Sequence, residues 1–150
     1  MSLDFPDFEG EAYFPDLKNI APLRKNDLLG KWVVLYFYPR DGTPGCTQEA
    51  LDFSAVLEEI HRLGGEVVGV STQSAESHRR FAEKYGLRHI LLSDDGNLSR
   101  ALGILKMTGT AERSTFLLSP EGKIEKVWKK VKTRGHAREV VEVLRQLTGL

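Results

Sequence analysis

From Lys31 to Tyr38 the chain is almost entirely apolar. Trp32, Val33, Val34, Leu35, Tyr36 and Phe37 follow one another without a charged side chain. A run so rich in valine and aromatic residues reads as a β-strand covered on both faces. Such a strand needs packing layers above and below it, which points to an α/β architecture. Beyond it, apolar residues recur at Ala50, Phe53, Val56, Leu57, Ile60 and Leu63. Those steps of three and four predict a helix from about Thr47 to Leu63, stopped by Gly64-Gly65. Between strand and helix lies Tyr38-Pro39-Arg40-Asp41-Gly42-Thr43-Pro44-Gly45-Cys46-Thr47, a loop that carries the only cysteine.

The rest of the chain alternates in the same way. Residues 3–20 are punctuated by prolines, with a short hairpin expected from Phe8 to Phe14. Asn19 to Asn26 reads as a strand and turn, and Asp27 to Gly30 as a loop. Glu66 to Ser71, with Val67, Val68 and Val70, predicts a second buried strand. Ser74 is placed to cap a helix with Glu76 in its first turn. That helix would turn His78, Phe81, Ala82 and Tyr85 inward and stop at Gly86. His89 to Ser93 reads as a short strand, Asp94 to Asn97 as a turn, Leu98 to Leu102 as a short helix and Gly103 to Ala111 as a loop. Arg113 to Ser119 and Lys123 to Val131, joined at Pro120-Glu121-Gly122, predict a hairpin. The final helix would bury Ala137, Val140, Val141, Leu144 and Leu147. Strands alternating with helices imply parallel pairing with helices on both faces, and the hairpin adds an antiparallel edge. This order is the thioredoxin-like arrangement, a central mixed sheet in one domain spanning residues 1–150.

Composition narrows the function classes. Lysine plus arginine number 21 and aspartate plus glutamate 21, so no net charge favours nucleic acid or an anionic membrane. One cysteine cannot form an internal disulfide or a multi-cysteine metal site, which fits a reducing compartment. Met1 to Pro6 shows no basic start or long apolar core, so no signal peptide is read there. No apolar run reaches transmembrane length. A soluble cytoplasmic protein without a cofactor is expected.

A lone cysteine is usually a small packed hydrophobe. Cys46 differs in its setting, a polar loop at the C-terminal end of an α/β strand, where sites gather. The thiolate is the nucleophile; a free thiol titrates at about 8.5, and a helix N-terminus or nearby cation lowers that value. Pro39-x-x-x-Thr43-x-x-Cys46 resembles the active-site motif of the peroxiredoxins. The wider string from Tyr36 to Ala50 is similar to the bacterioferritin comigratory protein branch, also called PrxQ. The likeness continues through Ser77 to Leu87, Arg113 to Leu117 and Gly135 to Ala137. It implies a thiol peroxidase that reduces hydrogen peroxide and organic hydroperoxides. Cys46 would attack the terminal peroxide oxygen, Thr43 would set its hydroxyl against sulfur and peroxide, Pro39 would shield the sulfur, and Arg113 would be the arginine of the site. The backbone N–H groups of the loop, Gly45 among them, could join Arg113 and Thr43 in stabilising the charge that develops on oxygen.

The sequence departs from that branch at one position. Many members carry a resolving cysteine five residues after the first; here that residue is Leu51, and no other cysteine exists. A Cys46 sulfenic acid would therefore be reduced by an external thiol, whether thioredoxin, a glutaredoxin or a small thiol. The resemblance implies a monomer, with a weak dimer as the alternative.

Other features carry blander readings. His61, His78, His89 and His136 show no metal-ligand spacing. Asp94 to Asn97 lacks the rest of a calcium loop. Lys126, Lys129, Lys130, Lys132 and Arg134 read as a charged edge that discourages strand pairing between molecules. A dithiol oxidoreductase would need Cys-x-x-Cys, and Thr43 stands where its first cysteine would be. A non-enzymatic interaction module leaves the Thr43–Cys46 spacing without purpose.

Overall fold

The computed structural model describes residues 3–150. Met1 and Ser2, which begin the segment read above for a leader, lie outside the described residues. The described residues form one eight-stranded sheet and four α-helices. The strands are β1 (Leu3–Asp4), β2 (Glu9–Phe14), β3 (Asn19–Arg24), β4 (Trp32–Phe37), β5 (Gly65–Ser71), β6 (Ile90–Ser93), β7 (Ser114–Leu118) and β8 (Lys123–Trp128). The helices are α1 (Pro44–Arg62), α2 (Ala75–Tyr85), α3 (Asn97–Ala101) and α4 (His136–Thr148). The sheet order is β1-β8-β7-β4-β5-β6-β2-β3. The three inner strands β4, β5 and β6 run parallel, and every other pairing is antiparallel.

The apolar run of β4 is explained by this order. It lies between β5 and β7 and is covered on both faces. Successive side chains alternate, so Val34, Tyr36 and Tyr38 join one core while Val33, Leu35 and Phe37 join the other. The first core is roofed by α1, α2 and α4 through Phe53, Ile60, Phe81, Val140 and Leu144. The second is closed by the short α3 at Leu98, by Ile104 and Ala111 of the following loop, and by Phe5. Helices thus occupy both faces, but three of the four share one. Charge pairs add to the apolar contact between α1 and α4: Glu59 accepts from Arg138 at 3.1 Å and also pairs with Arg145.

Several elements differ from the sequence reading. Phe8 to Phe14 is not a hairpin in itself; β2 pairs with β3, and residues 15–18 turn between them with Lys18 at φ 52°. Asp27 and Leu28 belong to a single 3-10 turn, Lys25–Leu28. β8 stops at Trp128, three residues short of the expected Val131, and Lys129 to Arg134 continue as a loop. Of the basic stretch only Lys126 lies in the strand. Leu147, expected inside, lies in the last turn of α4 and is 44% exposed. Ser74 caps α2 as expected, accepting from Ser77 N–H at 3.1 Å, and Gly86 ends that helix at φ 64°.

The start of α1 matters most. It begins at Pro44 with Thr43 at the N-cap, three residues earlier than the periodicity predicts. Proline suits the first helical position, since its fixed φ is already helical and its missing N–H would find no partner there. Cys46 therefore sits inside the first turn of the helix rather than ahead of it.

Candidate active site

Cys46 stands at the C-terminal edge of β4, third residue of α1, and is 1% exposed. Among the described residues its sulfur has one hydrogen-bond partner: Nη2 of Arg113 donates to Sγ at 3.4 Å. Arg113 immediately precedes β7, which runs antiparallel beside β4, and this pairing brings together residues 67 positions apart. Gly45 lets the guanidinium lie close, since a Cβ there would stand 3.3 Å from Nη2. The first-turn N–H groups and positive helix end of α1 add to the positive charge around the sulfur.

The other nitrogen of the fork is also held. Arg113 Nη1 donates to Glu49 Oε1 at 2.7 Å. Glu49 is 1% exposed, one turn beyond Cys46 on α1, and its Oε2 has no hydrogen-bond partner. Burial raises its pKa to about 7, with Arg113 pulling the other way. For Arg113, burial works against the charge, but Glu49 and Cys46 more than offset it, so the guanidinium is held above its ordinary value. Glu49 was not singled out from the sequence. The available signal was a carboxylate beside Ala50 and Phe53, on the helix face that apolar spacing buries.

The remaining expected residues line the same turn in different ways. Pro39, half-buried, ends the extended chain after β4, and its carbonyl accepts from Gln73 Nε2 at 3.1 Å. Thr43 Oγ1 donates to the carbonyl of Arg40 at 3.0 Å; it makes no hydrogen bond to Cys46 and does not cap α1 with its side chain. The loop closes on itself at this hydroxyl, which explains why the threonine is engaged locally rather than with sulfur. Leu51 is 38% exposed on the outer side of α1. A cavity of about 370 Å³ lies beyond Arg113, lined by Trp128, Lys129, Lys130, Lys132, Arg134 and the first turn of α4. It adjoins the site through the Val131 N–H, which donates to the Arg113 carbonyl at 3.0 Å. A larger one, about 550 Å³, lies at the opposite end of the sheet around Phe14, Leu28, Lys31 and Arg88. The sheet carries a lone thiol into the first turn of a helix and sets a permanent cation against it, an arrangement suited to a sulfur nucleophile.

A thioredoxin-like sheet that carries a lone thiol into the first turn of a helix points to a thiol-based enzyme, and comparison with known proteins gives the class, the thiol-dependent peroxidases. Residues 2–127 match the AhpC/TSA family, to which the chain belongs. Peroxiredoxin Bcp of Xanthomonas campestris is 48% identical over 124 residues, covering 77% of this chain and 78% of that relative. Among solved structures, Xanthomonas campestris Peroxiredoxin Q superposes with a TM-score of 0.85 at 40% identity, covering 97% of each chain. Enterococcus faecalis AhpC superposes with a TM-score of 0.88 at 31% identity, covering 98% of this chain and 91% of its own. The protein is accordingly a peroxiredoxin, a peroxidase that takes a peroxide as substrate and a thiol as reductant. With one cysteine in the whole sequence, it has no internal thiol to resolve an oxidised one. No helix among the described residues is long and apolar enough to cross a membrane.

Proposed function

We propose that Cys46 is the peroxidatic nucleophile and that Arg113, Thr43, Pro39 and Gly45 complete its site. The Cys46 thiolate attacks the terminal oxygen of the peroxide. An S–O bond forms as the O–O bond breaks, and the leaving oxygen takes a proton and departs as water or alcohol. The sulfur is left as sulfenic acid. An external thiol then condenses with it, releasing water and forming a mixed disulfide, and a second thiol returns Cys46 to its reduced state with release of the external disulfide. The observation that carries this reading is the Arg113 Nη2 to Cys46 Sγ contact at 3.4 Å. It sets a cation that cannot lose its proton where charge shifts from sulfur to oxygen. The Thr43 hydroxyl, half-exposed at the helix entrance, turns from Arg40 toward the peroxide when one is bound.

The reductant is thioredoxin, a glutaredoxin or a small thiol, and the chain works as one domain and as a monomer in a reducing cytoplasm. A single free cysteine suits such a compartment. In stopped flow, one equivalent of peroxide converts reduced protein to a dimedone-reactive sulfenate. Replacing Cys46 by serine abolishes peroxide consumption. A Cys46→Ser protein that consumes peroxide at the unaltered rate overturns the reading.

A further inference from the structure

Beside the site lies a second buried polar cluster centred on Asp41, in the turn that joins β4 to α1. Its carboxylate accepts three hydrogen bonds. Tyr38 Oη donates to Oδ1 at 2.6 Å, while Ser77 Oγ and His78 Nδ1 donate to Oδ2 at 2.8 and 2.7 Å. The Asp41 N–H donates to Gln73 Oε1 at 2.7 Å, and Gln73 Nε2 returns to the Pro39 carbonyl. Gln73 Oε1 also accepts from Ser71 Oγ at 3.0 Å. The turn is therefore tied to the end of β5 and to the first turn of α2.

His78 is fully buried, and its Nε2 stands 3.0 Å from the Leu92 carbonyl. The ring is thus held at both nitrogens, by Asp41 Oδ2 on one side and the Leu92 carbonyl on the other. Burial opposes the charge on Asp41, but His78 and the hydroxyls more than offset it and hold the carboxyl below its usual range. A buried pair of this kind adds little stability over well-packed apolar groups; its use lies in fixing position. The turn has few other anchors. Thr43 bonds only within it, Gly42 adopts φ 81°, and α1 begins without a side-chain cap.

We propose that Asp41 is a positioning residue for the peroxide reaction. Held by Tyr38, Ser77 and His78, it sets where the first turn of α1 enters the sheet edge, and so keeps the Cys46 sulfur buried against Arg113. This rests on Cys46 being the nucleophile. Misplacement of a reacting atom by about 1 Å can cost on the order of 100-fold in rate. Loosening the turn would also uncover the sulfur. The two consequences have opposite signs for two different reagents.

The test uses the full chain with Asp41→Asn combined with His78→Leu, which removes both partners of the buried pair together so that neither is stranded. Two second-order rate constants are measured: that of reduced protein with hydrogen peroxide, and that of Cys46 with iodoacetamide. The expected result is a fall of about 10- to 100-fold with peroxide and a rise with iodoacetamide. Tyr38→Phe, which removes one neutral donor, moves both rates in the same directions by a smaller factor and guards against a double variant that fails to fold. An unchanged peroxide rate in a folded variant overturns the proposal. So does a parallel fall in both rates, which would assign Asp41 to thiol activation instead. If Cys46→Ser leaves peroxide consumption intact, the nucleophile assignment fails, whatever Asp41 does.

Discussion

Glu49 shows how a single side chain can set the reach of another. Its Oε1 holds one nitrogen of Arg113 at 2.7 Å, which leaves the second aimed at Cys46. A forked guanidinium keeps a fixed angle between its two donors, so anchoring one orients the other. Glu49→Gln keeps an acceptor and removes the charge, and should hold the peroxide rate within a few fold. Glu49→Ala removes the anchor and should lower it by about 10- to 100-fold, as expected when a charge-stabilising donor loses its aim. Stopped-flow rates for the two variants decide this; equal rates would show that Glu49 does not orient Arg113. At this scale the sequence was half legible. Cys46, Thr43 and Pro39 are close neighbours, so their spacing is visible along the chain. Glu49 lay hidden among helical residues because a buried carboxylate looks like any surface one until its partner, far away in sequence, is known.

At the scale of elements, β4 and α1 were readable because hydrophobic periodicity is local. The start of α1 was not, since Pro44-Gly45 looks like a loop, although proline fits a first helical turn. That shift places Cys46 within the turn, where the helix end faces it. Leu51, five residues further along α1, stands partly in solvent where a second thiol would otherwise lie within the helix's own span. The helix therefore offers the oxidised sulfur no partner. A sulfenate without one persists long enough to meet a second peroxide. Turnover should decay progressively at large peroxide excess, with sulfinic acid on Cys46 in the mass spectrum of the inactivated protein. Linear turnover under those conditions would count against a purely external reductant.

Across the whole molecule, buried titratable groups link stability to pH. His89 is buried between Ser54 Oγ and Tyr36 Oη, at 2.8 and 2.6 Å, and burial lowers its pKa from 6.5 to about 3. His136 bonds Thr115 at 2.8 Å, and burial lowers it to about 4, with Glu139 pulling it upward. Both stay neutral while an unfolded chain takes up protons below pH 6.5. The unfolded state then binds more protons, so these two residues lose stability as pH falls. Glu49 acts in the opposite sense. Its value is raised from 4.5 to about 7, so the folded state keeps a proton that the unfolded state releases, and its contribution falls as pH rises through that window. At about 1.4 kcal/mol per pH unit, the histidines together lose about 4 kcal/mol between pH 7 and 5 while Glu49 restores about 2. Urea denaturation should therefore show a net loss of about 2 kcal/mol for the protein and about 4 for Glu49→Gln. Identical pH dependence in the two would refute this assignment of charge.

The amino-acid sequence by itself determined the layered α/β class, the strand that leads to Cys46 and the lack of any internal thiol, because alternation, helical spacing and residue counts are properties of the chain alone. The tertiary structure decided which charges meet. Arg113 reaches Cys46 only because β7 pairs beside β4, and Asp41 reaches Ser77 and His78 only because α2 packs next to the turn. An ion pair depends on distance in space and on burial, and neither is written in the order of residues along the chain.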